Sequence, residues 1–64
     1  MSLRPELALL AGLIPSASRV LDLGCGTGEL LAHLMSAAGC SGTGVEIDDD
    51  AVVAAIALGV PVIE

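Results

Sequence analysis

With 64 residues, eight acids and two arginines, the chain carries a net charge of −6 and is shorter than an ordinary domain. That balance argues against nucleic acid or an anionic membrane surface as a partner, and no apolar run reaches membrane-spanning length without Gly, Pro or charge. Apolar residues make up 55% of the chain with no Phe, Tyr or Trp, a composition of Ala, Val, Leu and Ile that suits buried parallel strands and the helices covering them.

Residues 3 to 14 read as a first helix. Ser2 can cap it, Pro5 and Glu6 suit its first turn, and Leu7, Leu10, Leu13 and Ile14 form an apolar stripe. Pro15 and the Ser16-Ala17-Ser18 stretch end it. Arg19 to Leu23 is the first strand, and Gly24 to Gly28 is a tight turn. Glu29 to about Ala38 is the second helix, with Leu30, Leu31, Leu34, Met35 and Ala38 on one face. On the other face His33 is expected to meet water and to pair with Glu29 one turn earlier. A loop over 39–42 leads to a second strand, 43–47. Asp48, Asp49 and Asp50 open a third helix to about Leu58, where acids complement the helix dipole and cap free amides. Gly59 stops it, and 60–63 forms a third strand. The order α-β-α-β-α-β, with right-handed crossovers, places the strands in spatial order 3-2-1. The expected fold class is α/β, the N-terminal half of a Rossmann-like doubly wound parallel sheet, incomplete within a single truncated domain.

Asp22-Leu23-Gly24-Cys25-Gly26-Thr27-Gly28 carries the chemistry. A dinucleotide fingerprint needs its third glycine five residues after the first, and that position is Glu29. A carboxylate in the first helical turn repels a pyrophosphate docked there. The alternate glycines instead fit S-adenosylmethionine, which bears a sulfonium and an ammonium and no phosphate. They let the main chain approach a ligand closely, because no Cβ intervenes. Asp22 can hold the ammonium or grip the turn amides. Glu46, at the end of the second strand, is placed to accept from both ribose hydroxyls, and Ile47 to pack on the adenine. The expected cofactor-binding residues are Asp22, Gly24, Cys25, Gly26, Gly28, Glu46 and Ile47. No catalytic residue and no metal ligand is expected: Cys25 has no base placed beside it. Cys25 and Cys40 match no zinc or redox spacing, and with no signal peptide the expected location is cytoplasmic, with reduced thiols.

VLDLGCGTGELL, Val20 to Leu31, resembles the first motif of class I S-adenosylmethionine-dependent methyltransferases, and Gly44-Val45-Glu46-Ile47-Asp48 resembles their post-I motif. The wider string from Arg19 to Glu64 is similar to the MetW family of methionine biosynthesis proteins, including its Gly-Val-Pro-Val-Ile third strand. Thr27 departs from the acid common in that family. The resemblance implies an acidic turn and four further strands beyond the third, and Glu64 does not stand for that missing acid. It further implies a role in methionine synthesis, with methyl transfer or a non-catalytic partnership with a homoserine O-acyltransferase as the two alternatives. The expected behaviour of these residues alone is inactivity, and self-association through an open edge at the first strand.

Overall fold

The computed structural model describes residues 3–64, with elements in the order α1 (Pro5–Gly12), β1 (Arg19–Leu23), α2 (Glu29–Ala37), β2 (Ser41–Val45), α3 (Asp49–Ala57) and β3 (Val62–Ile63). The strands form one parallel sheet ordered β1-β2-β3, which is the expected 3-2-1 read from the other edge. The proposed Ser2 cap lies outside the described residues. Arg4 takes the N-cap position of α1, and its carbonyl accepts from the Leu7 and Ala8 amides, both at 3.0 Å.

The core sits between the sheet and the helices that join its strands. Leu31 from α2, Ala55 from α3 and Val60 before β3 form the buried cluster, with Val20, Ala32 and Met35 packed against it. Leu34, Cys40 and Val52 are also buried. The α3 helix ends as its sequence dictates. Gly59 adopts φ 82°, its amide donates to the Ile56 carbonyl at 2.9 Å, and the Val60 amide donates to Ala55 at 3.1 Å. That is a Schellman stop, and it drops Val60 directly onto Ala55 in the core. At the other end of α3, the Asp48 carboxylate accepts from the Ala51 amide at 2.9 Å, so the first acid of the triplet is the cap.

One boundary differs in a way that matters for the site. The second strand begins at Ser41 and ends at Val45, two residues earlier than the sequence suggests. Gly42 and Gly44, which read as loop and strand-start residues, lie inside the ladder opposite Val20 and Asp22. They are glycines because neighbours close over them. A Cβ on Gly42 would stand 2.5 Å from Leu31 Cδ1 and 2.9 Å from the Val20 carbonyl oxygen, and one on Gly44 would run into the Cys25 thiol. Glu46 therefore lies just past the strand. Replacing Gly42 with alanine is expected to cost about 1–3 kcal/mol through overpacking. Gly12→Ala, where a methyl group meets open space, is expected to be neutral or mildly stabilising. Urea midpoints of the two variants measure the difference.

The opposite sheet face has no layer over it among the described residues. Leu21 and Leu23 of the edge strand β1 are 66% and 73% exposed.

Candidate functional site

The glycine turn is built from three left-handed residues in alternation: Gly24 at φ 73°, Gly26 at 59° and Gly28 at 81°. Such angles cost an L residue with a Cβ roughly 1–2 kcal/mol each, so glycine at all three follows from the backbone path. The three differ in surroundings. A Cβ on Gly24 or Gly26 would meet nothing within 4 Å. On Gly28 it would stand 3.0 Å from Ala55 Cβ and 3.2 Å from Val60 Cγ2. The first two glycines border open space; the third seats the loop and the start of α2 on the core.

Most of the loop amides have protein acceptors. The Gly24 and Cys25 amides donate to the Val45 carbonyl at 2.7 and 3.1 Å, and the Gly28 amide donates to Cys25 at 3.1 Å. The Gly26 amide donates to Glu46 Oε1 at 2.8 Å. Glu46 Oε2 takes the Ile47 and Asp48 amides, both at 3.0 Å. One carboxylate thus ties the middle of the glycine loop to the turn after β2. Its shifted position past the strand is what lets it fold back in this way. These amide bonds hold the Glu46 carboxyl below its ordinary value. A carboxylate has about four acceptor directions, so three amide bonds leave one open, on Oε1. Accepting two ligand hydroxyls would require release of one of the three amides.

Asp22 is half-buried at the end of β1, and burial pushes its carboxyl above the ordinary value. The Gly24, Cys25, Gly26 and Gly28 amides it was placed to grip are bonded to Val45, Glu46 and Cys25 instead. Its charge is left for solvent or for a cation. A cavity of about 300 Å³ opens beside it, lined by Arg4, Leu7 and Leu10 on the α1 side and by Asp22, Gly24, Cys25, Gly26, Thr27, Glu29 and Leu30 on the other. That volume lies at the lower end of the small-molecule range.

Cys25 lies between the loop and Gly44, its thiol directed at the Gly26 carbonyl at 3.6 Å. Burial, then the charges of Asp22 and Glu46, push this thiol above its ordinary range, so it stays protonated at neutral pH. Alkylation by iodoacetamide at pH 7.5 is expected to be slower than for an unstructured cysteine peptide. A rate equal to the peptide's would contradict that environment.

Ile47 is 86% exposed and does not line the cavity; its amide is a donor to Glu46. Gly28 is buried beneath the loop. The expected His33–Glu29 pair does not form among the described residues. Glu29 instead accepts from the Thr27 hydroxyl at 3.2 Å and stands 3.7 Å from Arg4 Nε. The Glu29 carboxylate is thus engaged by a guanidinium and a hydroxyl at the helix start rather than by the imidazole one turn on. His33 sits in a separate depression between α1 and α2. The sequence reading missed Arg4 and the α1 wall. The Leu7/Leu10 spacing gave the face of that helix but not what it faces.

The profile of the family described as methionine biosynthesis protein MetW matches residues 4–64. No curated protein matches the sequence. Among solved structures, a SAM-dependent methyltransferase from Thiobacillus denitrificans in complex with S-adenosyl-L-homocysteine is 36% identical, with a TM-score of 0.71 over 97% of this chain and 29% of its own. One from Geobacter sulfurreducens, also in complex with S-adenosyl-L-homocysteine, is 34% identical, with a TM-score of 0.69 over 97% of this chain and 29% of its own. YjhP from E. coli is 29% identical, with a TM-score of 0.75 over 95% of this chain and 29% of its own. The chain therefore spans less than a third of each of these three proteins. The match over 4–64 takes in every helix and strand described above, and the chain belongs to the MetW family, with the fold of S-adenosylmethionine-dependent methyltransferases.

Proposed function

We propose that this segment binds S-adenosylmethionine between α1 and the glycine turn, as the cofactor-binding part of a protein of methionine biosynthesis. The observation that carries the reading is the distribution of hydrogen bonds around the loop. Four of its amides are occupied, while Asp22 and one direction on Glu46 Oε1 remain open beside two glycines that border empty space. Those groups match the ligand: a carboxylate for an ammonium, an acceptor for a ribose hydroxyl, and bare backbone for close contact. The same carboxylates oppose a phosphate or pyrophosphate. In the proposal Asp22, Gly24, Cys25 and Gly26 line the aminoacyl and ribose end, Glu46 orients the ribose while bracing the loop, Gly28 keeps the loop seated, and Ile47 offers an apolar surface to adenine.

When bound, S-adenosylmethionine supplies an activated methyl group. The described residues contribute positioning, which is a large part of such catalysis. They form no nucleophile–base pair: Cys25 is held protonated and His33 lies in a different depression. The 64 residues are therefore expected to bind without turnover. Equilibrium dialysis with S-adenosylmethionine tests binding, and methyl release to any acceptor by this chain would contradict the second half of the proposal.

A second reading follows from the surface. Leu9 and Leu13 of the α1 region and Val53 and Ile56 of α3 are exposed, as are Leu21 and Leu23 on the open sheet face. We propose as the alternative a cytoplasmic, non-catalytic module that binds a homoserine O-acyltransferase through these exposed side chains. Self-association is a further proposal and rests on a different feature, the position of β1 at the edge of the described sheet. Co-purification with the acyltransferase, lost on Val53→Glu but kept on Glu46→Ala, supports the partner reading. A clean monomer at high micromolar concentration that fails to retain the enzyme removes both.

A further inference from the structure

We propose that Arg4 is a ligand-binding residue whose guanidinium takes the carboxylate of the ligand's amino-acid end while Asp22 takes its ammonium. This rests on the S-adenosylmethionine reading of the site.

The cavity wall holds three charged side chains: Arg4, Asp22 and Glu29. A zwitterionic α-amino acid needs one group of each sign. Asp22 supplies the negative one, free of the loop amides described above. Arg4 supplies the positive one. The other arginine, Arg19, starts β1 at the end of the strand remote from the glycine turn. His33 belongs to a separate depression. Among the described residues Arg4 is thus the cation at this mouth.

Its present partners hold it loosely. Arg4 Nε stands 3.6 Å from Glu6 Oε1 and 3.7 Å from Glu29 Oε2, too far for good hydrogen bonds, and its side chain is 65% exposed. Exposed pairs of this kind contribute little, so exchanging them for a ligand carboxylate costs little. A guanidinium can grip a carboxylate with two parallel N–H bonds, a geometry neither current contact uses. Glu29 keeps the Thr27 hydroxyl, at 3.2 Å, when Arg4 leaves. The Arg4 backbone stays put, because its carbonyl already accepts from Leu7 and Ala8. The side chain can therefore swing while α1 keeps its cap.

Calorimetric titration of the full chain with three probes tests this: S-adenosylhomocysteine, decarboxylated S-adenosylmethionine and 5′-methylthioadenosine. Arg4→Gln is expected to weaken S-adenosylhomocysteine roughly tenfold and to leave the two probes lacking the carboxylate within about twofold. Arg4→Lys, which keeps charge but not the fork, is expected to fall between. Retained 5′-methylthioadenosine binding also reports that each variant is folded. An equal loss for all three probes, or no loss for any, overturns the Arg4 assignment alone. A wild-type chain that binds none of the three overturns the S-adenosylmethionine reading and this assignment with it.

Discussion

Gly28→Ala is expected to destabilise the chain by about 2–4 kcal/mol, the largest loss of any single methyl added to the loop. Two costs combine. The residue sits at φ 81°, where a Cβ costs roughly 1–2 kcal/mol. The methyl would also stand 3.0 Å from Ala55 Cβ and 3.2 Å from Val60 Cγ2, inside the buried cluster, where overpacking costs about 1–3 kcal/mol. A chain of this length commands roughly 3–10 kcal/mol of stability, so much of it would be lost. Gly26→Ala serves as the contrast. It carries the backbone cost without the clash, since nothing lies within 4 Å of its Cβ position. Its methyl enters the space beside the cavity instead. Thermal unfolding should therefore rank Gly28→Ala well below Gly26→Ala, while ligand titration should show Gly26→Ala impaired even where it is folded. Equal melting temperatures would contradict the packing role given to Gly28.

The second large effect is expected at Glu46. Its carboxylate takes three amides, and its removal frees the Gly26 amide and loosens the turn before α3. Glu46→Ala is expected to weaken S-adenosylhomocysteine by roughly 10- to 100-fold for each charge-assisted ribose bond lost. The acid dependence follows with a definite sign. The folded carboxyl lies below its ordinary 4.5 because the ionised form is hydrogen-bonded. Its contribution to stability is present in full above 4.5 and is lost as pH falls through the lower, folded value. Asp22 opposes it. Burial raises the folded carboxyl above 3.8, so stability is gained as Asp22 protonates on acidification. Glu46→Gln should therefore flatten the acid limb of the stability profile, and Asp22→Asn should steepen it. The reverse pairing would contradict both environments.

Why the sequence disclosed most of the fold and only part of the site is visible in individual residues. Helices and strands were legible because apolar periodicity and glycine stops agree with the tertiary packing, as at Gly59 above Ala55. The sequence places β2 two residues late because Gly42 looks like a loop former and Gly44 like a residue near the strand start. They are strand residues whose side chains are excluded by Leu31 and Cys25, and that is a long-range contact no local pattern carries. The loop acids were legible as charges at suggestive spacings. Which acid braces the loop and which stays free depends on where β2 ends, and that one shift hands the Gly26 amide to Glu46 and leaves Asp22 open. Arg4 was not legible at all as a site residue, since its place at the cavity mouth depends on how α1 packs against α2.

The glycine turn and Glu46 are proposed to form a site for S-adenosylmethionine. Calorimetric titration of S-adenosylhomocysteine into the wild-type chain, Glu46→Ala and His33→Ala tests it most directly. Expected are binding to the wild type, an affinity for His33→Ala within about twofold of it, and a loss of at least roughly tenfold for Glu46→Ala. Equal affinities for the two variants, or no heat of binding to the wild type, would contradict it.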